Sequence, residues 1–309
     1  MVLERLVLVL TLIATSGIPA GAQTPGTLDP VPLPALPNPY DPALPAKELF
    51  ARATGAAPMA PRAIGTFARG CLAGAKALPV DGETWQVMRL SRNRNWGHPA
   101  LIGFLERLAR KVPAAVGWPG ILVGDLSQPR GGPMLSGHAS HQIGLDADIW
   151  LTPMPKTPLS RADRETMSAT NVVAADWNDV DPNAWTPQHG AFIRLAALQP
   201  EVSRVLVNPA VKKALCREAG KDRASKDSAW LAKVRPWWGH NYHLHIRLRC
   251  PAGAADCHEQ GAVPGGDGCG KELDWWFSAE ARSPKPSRPS PPLKLSDLPP
   301  ACRTVVFAK

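Results

Sequence analysis

The chain has 309 residues, of which 44% are hydrophobic, and this composition is ordinary for a globular protein with a real core. A formal net charge of +9 and a sequence pI near 9.5 favour a polyanionic partner, such as nucleic acid, anionic lipid or an acidic cell-wall polymer. Lysine and arginine do not form runs interleaved with aromatic residues, so we do not expect a nucleic-acid partner.

The first 22 residues predict a secretory signal peptide. Arg5 precedes an apolar run from Leu6 to Ile13, and residues 20–22 form a small-x-small cleavage site. The run is too short to span a membrane and no cysteine follows the cleavage site, so we expect neither an integral membrane anchor nor a lipid anchor. An uncleaved N-terminal anchor is the alternative interpretation.

Six cysteines in an exported chain predict three disulfides, although six cysteines allow 15 pairings. The spacing of Cys250 and Cys257 is too wide for the knuckle of a zinc finger. The six are Cys71, Cys216, Cys250, Cys257, Cys269 and Cys302.

The first half of the chain predicts a lead-in followed by a globular domain. Residues 23–60 are rich in Pro and Ala without apolar periodicity, which predicts an extended or disordered segment. We expect the domain to cover residues 61–278. Helical spacing predicts a helix over Pro99–Lys111 that ends before Pro113, and residues 121–123 are typical of a buried strand.

The second half alternates between helix and strand patterns. The pattern predicts helices over residues 188–198 and 209–219, and strands over residues 146–151, 203–207 and 242–249. Residues 279–309 form a Pro/Ser-rich tail that cannot build a core, so we expect Cys302 to pin it by a disulfide. The mixture predicts an α+β fold with an antiparallel sheet core flanked by helices.

Two segments, residues 136–150 and 239–249, hold five of the eight histidines. Side chains alternate across a strand, so Asp146 and Asp148 share one face of the first strand and His243 and His245 share one face of the second. If the two strands are neighbours, the carboxylates and imidazoles meet. We therefore predict a zinc site on the sheet with His141, Asp148 and His245 as ligands and a fourth position open for water.

We also predict catalytic and orienting roles for polar residues near this site. We expect His243 to act as general base or as a donor to the oxyanion, because a fourth protein ligand would close the site. Asp146, Asp176 and His240 are candidates for orienting the ligands. The alternative is a set of structural histidines and a solvated acidic edge, but His243, His245 and Arg247 on one face would then repel one another.

Other aromatic and histidine positions carry weaker expectations. Trp237 and Trp238 are interpreted either as core residues or as a wall for the substrate. We expect His189 and His258 at the surface and His98 as a cap or loop residue. The chain contains no H-E-x-x-H, G-x-S-x-G or S-x-x-K motif, so thermolysin-like and serine chemistries have no support.

The chain resembles the penicillin-insensitive murein endopeptidases, zinc peptidases related to lysostaphin, the D-Ala-D-Ala metallopeptidases and the hedgehog amino-terminal domain. The group signature H-x₆-D followed by H-x-H corresponds to His141, Asp148, His243 and His245. Longer matching strings are residues 138–148, 205–210, 233–237 and 266–270. The resemblance covers roughly Ile64 to Cys302.

The resemblance implies a periplasmic enzyme that cleaves D-alanyl–diaminopimelyl cross-links of peptidoglycan and is insensitive to penicillin because no serine is acylated. It implies that His141, Asp148 and His245 bind zinc and that His243 is catalytic. His138 and His240 match further histidines of the family site. We therefore count His138 with the metal residues and His240 with the catalytic ones.

Asp176 matches an acid implicated in a second metal position, but Asp179 stands where family members can carry His, which puts a second zinc in doubt. The resemblance also implies the disulfides Cys71–Cys302, Cys216–Cys269 and Cys250–Cys257. Two rival functions stay open: a D,D-carboxypeptidase of stem peptides, and a non-catalytic cell-wall-binding module that keeps zinc for stability. The sequence does not indicate an oligomeric state.

Overall fold

The structure of the chain is a computed structural model, and it describes residues 24–220, 226–283 and 290–309. The predicted signal peptide, residues 1–22, lies outside the described residues. The helices are α1 (Ala46–Phe50), α2 (Pro99–Val116), α3 (Arg161–Thr166), α4 (Pro187–Leu198), α5 (Pro209–Ala219), α6 (Lys271–Trp275), α7 (Ala279–Arg282) and α8 (Ala301–Phe307). The strands are β1 (Arg62–Thr66), β2 (Arg69–Ala73), β3 (Lys76–Ala77), β4 (Asp81–Gly82), β5 (Trp85–Val87), β6 (Trp96–Gly97), β7 (Ile121–Val123), β8 (Asp146–Trp150), β9 (Val202–Val207), β10 (Val234–Pro236) and β11 (His243–Leu248).

A seven-stranded sheet in the order β10-β9-β11-β8-β7-β5-β4 forms the centre of the molecule. Its middle is antiparallel, because β11 runs antiparallel to both β9 and β8, and β7 runs antiparallel to β8. The pairings β10–β9 and β7–β5 are parallel. With helices packed against this sheet, the α+β prediction is confirmed, and β8 and β11 are adjacent as the zinc-site hypothesis requires.

The main core lies on one face of this sheet. Ala147 and Ile149 of β8 and Leu244 and Ile246 of β11 are fully buried there, together with residues of α2 and α4. Because side chains alternate along a strand, the acids and imidazoles of β8 and β11 point to the opposite face. The predicted alternation is therefore confirmed, and the core supports the polar face from behind.

Helix α2 is longer than the sequence predicts. It continues through Pro113 to Val116 and ends at Gly117, whose φ of +82° gives a left-handed cap. The Gly117 amide donates to the carbonyls of Pro113 and Val112, and this bond together with the burial of Val112 and Val116 favours the extra turn. These contacts outweigh the one hydrogen bond that Pro113 cannot donate.

A second, smaller core corrects two expectations about the ends of the chain. Residues 24–60 contain α1, whose Phe50 is fully buried, so this segment is not disordered throughout as predicted. The C-terminal tail also builds core, because Leu298 and Val305 pack against α1 and strand β2. In both segments the apolar residues occur in brief stretches among prolines, so the sequence showed no periodic pattern from which their burial could be predicted.

All three disulfides implied by the resemblance are present. Cys71–Cys302 joins β2 to α8, Cys216–Cys269 joins α5 to the loop before α6, and Cys250–Cys257 closes the loop after β11. Among the described residues, no helix is long and apolar enough to cross a membrane.

Candidate metal centre

The register of β8 and β11 brings the predicted site together. His245 is directly opposite Asp148, and Arg247 is opposite Asp146. His141 comes from the loop before β8, where its backbone adopts a φ of +66°. Two hydrogen bonds hold it there: the His141 amide donates to Asp146 Oδ2 at 2.9 Å, and the Ser127 hydroxyl donates to the His141 carbonyl at 2.6 Å.

Three potential ligand atoms converge at one point. His141 Nε2 lies 3.1 Å from His245 Nδ1 and 3.4 Å from Asp148 Oδ1, and His245 Nδ1 lies 3.1 Å from Asp148 Oδ1. Ligands at about 2.0–2.1 Å from a tetrahedral zinc ion are separated from one another by roughly 3.3–3.4 Å. The three observed separations lie within about 0.3 Å of these values, so the three predicted ligands fit such an ion closely.

The donor chemistry also fits a cation. The other polar atoms of two of these residues, Asp148 Oδ2 and His141 Nδ1, are also buried and have no hydrogen-bond partner among the described residues. Burial opposes ionisation of Asp148, but His243, His141 and His138 outweigh it and hold the pKa of this carboxyl well below its usual range. Two overlapping groups in the described chain could hold a metal ion: His138, His141 and Asp148, and His141, Asp146 and His245.

Asp146 contacts two of the predicted ligands. Its carboxylate accepts hydrogen bonds from Arg247 at 2.8 and 3.1 Å and lies 3.2 Å from His245 Nε2. Burial alone would lower the pKa of His245, but Asp146 and Asp148 outweigh burial and raise it to about 9. Because Asp146 also accepts a hydrogen bond from the backbone amide of His141, one carboxylate contacts both His141 and His245, which is the arrangement expected of a residue that orients metal ligands.

His243 and His240 lie beside the three convergent atoms. His243 Nε2 is 3.7 Å from Asp148 Oδ2, and the rings of His240 and His243 are 4.7 Å apart. Burial lowers the pKa of His243 to about 4 and lowers that of His240 well below its usual value. Both imidazoles are therefore neutral at neutral pH, and this is the form that accepts a proton.

His138 contacts a group of charged residues that were not predicted from the sequence. Its Nδ1 lies 3.6 Å from Asp148 Oδ2, and its Nε2 lies 2.9 Å from Asp125 Oδ2. Asp125 is buried and also accepts hydrogen bonds from Arg92 at 3.0 Å and Arg94 at 2.9 Å. The only sequence signal for Asp125 was its position directly after the buried strand β7 and Gly124.

Neither of the two candidate metal groups in the described chain includes Asp176. Asp176 is exposed and its carboxylate accepts hydrogen bonds from Asn178, including one from the side chain at 2.9 Å. Asp179 is bound to Arg217 at 2.8 and 3.1 Å and lies 3.7 Å from Lys213. Because the Asp179 carboxylate is already paired with Arg217 and Lys213, a second metal position formed by Asp176 and Asp179 is disfavoured.

Four weaker expectations are resolved. His189 is buried, with Nε2 2.9 Å from the Leu151 carbonyl, so its placement at the surface was wrong. His98 caps α2 and His258 is exposed, as predicted. Trp237 and Trp238 are 55% and 38% exposed, which contradicts their interpretation as core residues.

The fold and the cluster define an α+β protein with a buried His/Asp centre on its central sheet, suited to a metal ion. The sequence profile that matches residues 63–307 is that of the penicillin-insensitive murein endopeptidases, and the chain belongs to this peptidase family.

Curated relatives agree over most of the chain. A penicillin-insensitive murein endopeptidase of Yersinia enterocolitica is 47% identical over 247 residues, covering 80% of this chain and 86% of the relative. The protein of the same name from Haemophilus influenzae is 48% identical over 228 residues, covering 73% and 77%. That from Klebsiella pneumoniae is 44% identical, covering 79% and 86%.

Proposed function

We propose that the chain is a zinc-dependent murein endopeptidase that hydrolyses D-alanyl–diaminopimelyl cross-links of peptidoglycan. Family membership supports peptidase action on murein. The observation that carries the metal assignment is the convergence of His141 Nε2, Asp148 Oδ1 and His245 Nδ1 at separations of 3.1–3.4 Å. We assign zinc to these three residues, with His138 beside them.

Zinc in such a site supplies Lewis acidity, which polarises a carbonyl and makes water a stronger nucleophile at neutral pH. The chain's own groups supply proton transfer and orientation. His243 is neutral and adjoins Asp148, so its imidazole is the group best placed to take a proton from the attacking water. His240 lies next to His243 and is the second candidate for this role.

Two further features support export to the periplasm, where murein is found. Disulfides form and persist in oxidising compartments, and the described chain contains three of them with no free cysteine. The first 22 residues carry the features of a signal peptide. Penicillin insensitivity is expected because the proposed site contains no serine nucleophile for the drug to acylate.

The test is digestion of purified dimeric muropeptides by residues 23–309, with chelator and with zinc added back. We expect conversion to monomers that stops with chelator and returns with zinc. His141→Ala and His245→Ala should abolish both zinc binding and cleavage. His243→Ala should keep stoichiometric zinc but lose about 10²–10⁴-fold in rate, as for a lost general acid–base. The control is His258→Ala, which removes an exposed histidine.

Other outcomes would select a rival. Release of terminal D-alanine without cleavage of dimers would identify a D,D-carboxypeptidase. Retention of murein with bound zinc and no hydrolysis would identify a binding module. Normal cleavage by His243→Ala would refute the role given to His243.

A further inference from the structure

A cavity of about 320 Å³ is lined in part by His138. Residues 24–27, Arg92, Arg94 and Asp125 also line it. His138 belongs both to this cavity and to the metal centre, because its Nδ1 is 3.6 Å from Asp148. The cavity is therefore one side chain away from the proposed position of zinc.

The wall of the cavity carries more positive than negative charge. Arg92 and Arg94 share the single carboxylate of Asp125, and their side chains remain 15% and 11% exposed. Arg89 is buried and interacts electrostatically with Glu165, whose carboxylate accepts hydrogen bonds from Ser91 of the cavity lining, so these two residues together add no net charge. One guanidinium charge is thus left without a matching carboxylate at the cavity.

Both guanidinium groups are held in place with donors to spare. Besides Asp125, Arg94 donates to the Ser136 carbonyl at 3.1 Å, and Arg92 donates to the Thr24 carbonyl. A guanidinium has five N–H donors, so these bonds leave donors on each arginine for a ligand. Arginine donors fixed in this way suit a carboxylate, because its two oxygens accept parallel N–H bonds.

The substrate in the proposed function carries such a group close to the reacting bond. In a D-alanyl–diaminopimelyl cross-link, the carbon that bears the scissile nitrogen also bears a free carboxylate. We propose that Arg92 and Arg94 form a subsite for this carboxylate and so select murein peptides in which it is free rather than amidated. This inference rests on the proposed function, since the substrate's chemistry identifies the ligand.

The first experiment compares two dimeric muropeptides that differ only in this carboxyl group, free in one and amidated in the other. The wild-type enzyme should show a KM about 10- to 100-fold lower for the free form at similar kcat, as expected for a lost charge-assisted hydrogen bond. Arg94→Gln and Arg92→Gln should raise KM for the free form by a similar factor and leave the amidated form within about threefold.

Two further variants separate recognition from support of the fold. Arg94→Lys keeps the charge but not the paired donors, so it should restore part of the preference. Arg110→Gln, which removes an exposed arginine of α2, should keep all of it. An equal loss on both substrates in Arg94→Gln would mean that the arginine acts only by holding Asp125, and it would overturn the subsite.

A binding measurement keeps the test independent of turnover. Calorimetry with a diaminopimelate-containing tripeptide, free or amidated at the same carboxyl, should give tighter binding of the free form to the wild type and no difference in Arg94→Gln. Equal affinities in the wild type would refute the subsite. Failure to cleave either dimer, with this binding difference intact, would refute the proposed function and leave the subsite standing.

Discussion

Asp146→Asn tests how far one buried carboxylate supports the metal centre. Asp146 is fully buried and binds Arg247, which is 7% exposed, through two hydrogen bonds. Removal of one partner from a buried ion pair leaves an uncompensated charge and costs about 3–5 kcal/mol. The same change loosens His245 and the amide of His141, and loss of such an orienting residue lowers metal affinity about 10- to 100-fold.

Urea unfolding of the metal-free protein measures the first effect, and competition with a chromogenic chelator measures the second. The matched control is Asp256→Asn, which breaks an ion pair with Arg62 whose side chains are 46% and 42% exposed. That change should cost less than about 1 kcal/mol and leave zinc affinity unaltered. Arg247→Gln added to Asp146→Asn should recover part of the lost stability, because the buried charge is then gone.

The reasoning would be refuted by a loss below about 1 kcal/mol together with unchanged zinc affinity in Asp146→Asn. Such a result would mean that water or a neighbouring group replaces the carboxylate. A stability loss with unchanged zinc affinity would refute only the orienting role.

Three further predictions concern residues outside the ligand set. Burial lowers the pKa of His189 below its ordinary value of 6.5, so the stability that depends on its neutral form is complete above about pH 6.5 and is lost as the pH falls further. His189→Gln should remove this part of the pH dependence in urea unfolding, at most about 1.4 kcal/mol per pH unit; an unchanged slope would contradict it. Replacing Cys71 and Cys302 together by serine should lower the free energy of unfolding by about 2–4 kcal/mol and expose α8 to protease, whereas unaltered proteolysis would contradict its pinning role. Trp238→Ala should raise the KM for intact murein more than that for soluble dimers, because an exposed tryptophan beside the site suits a substrate wall; equal effects would argue against that wall.

Local sequence patterns predicted the fold correctly where burial depends on a single face of one strand or helix. The alternation of Asp146, Ala147 and Asp148 predicted which side chains enter the core, and the spacing of leucines predicted the buried face of α2. The patterns failed where distant segments meet. Phe50 is buried in a cluster that the C-terminal tail, more than 240 residues later, completes together with β1 and β2.

The residues of the candidate site differ in the same way: some could be predicted from local patterns and others could not. The sequence predicted His141, Asp148 and His245 because each lies in a strand, or in the loop before it, whose two faces can be assigned from the alternation of side chains. Asp125, Arg92 and Arg94 were missed because their contact with His138 depends on how the loops between the strands fold against one another. The metal role of Asp176 rests on the resemblance alone and stays a prediction, since the structure shows an exposed acid bonded to Asn178.

The metal centre is built at a cost to stability that the surrounding fold must offset. Asp148 Oδ2, His141 Nδ1 and His243 Nδ1 are buried without a hydrogen-bond partner in the described chain, and each such group costs about 1–3 kcal/mol. Two of the three residues lie on β8 and β11, which are central strands backed by the main core and are therefore hard to deform. The sheet thus holds the donor atoms close together against their own solvation preference. A cation bound at Asp148 Oδ1 and His141 Nε2 would offset the cost of burying the negative charge of Asp148, although Oδ2 and Nδ1 are not the atoms that converge on it.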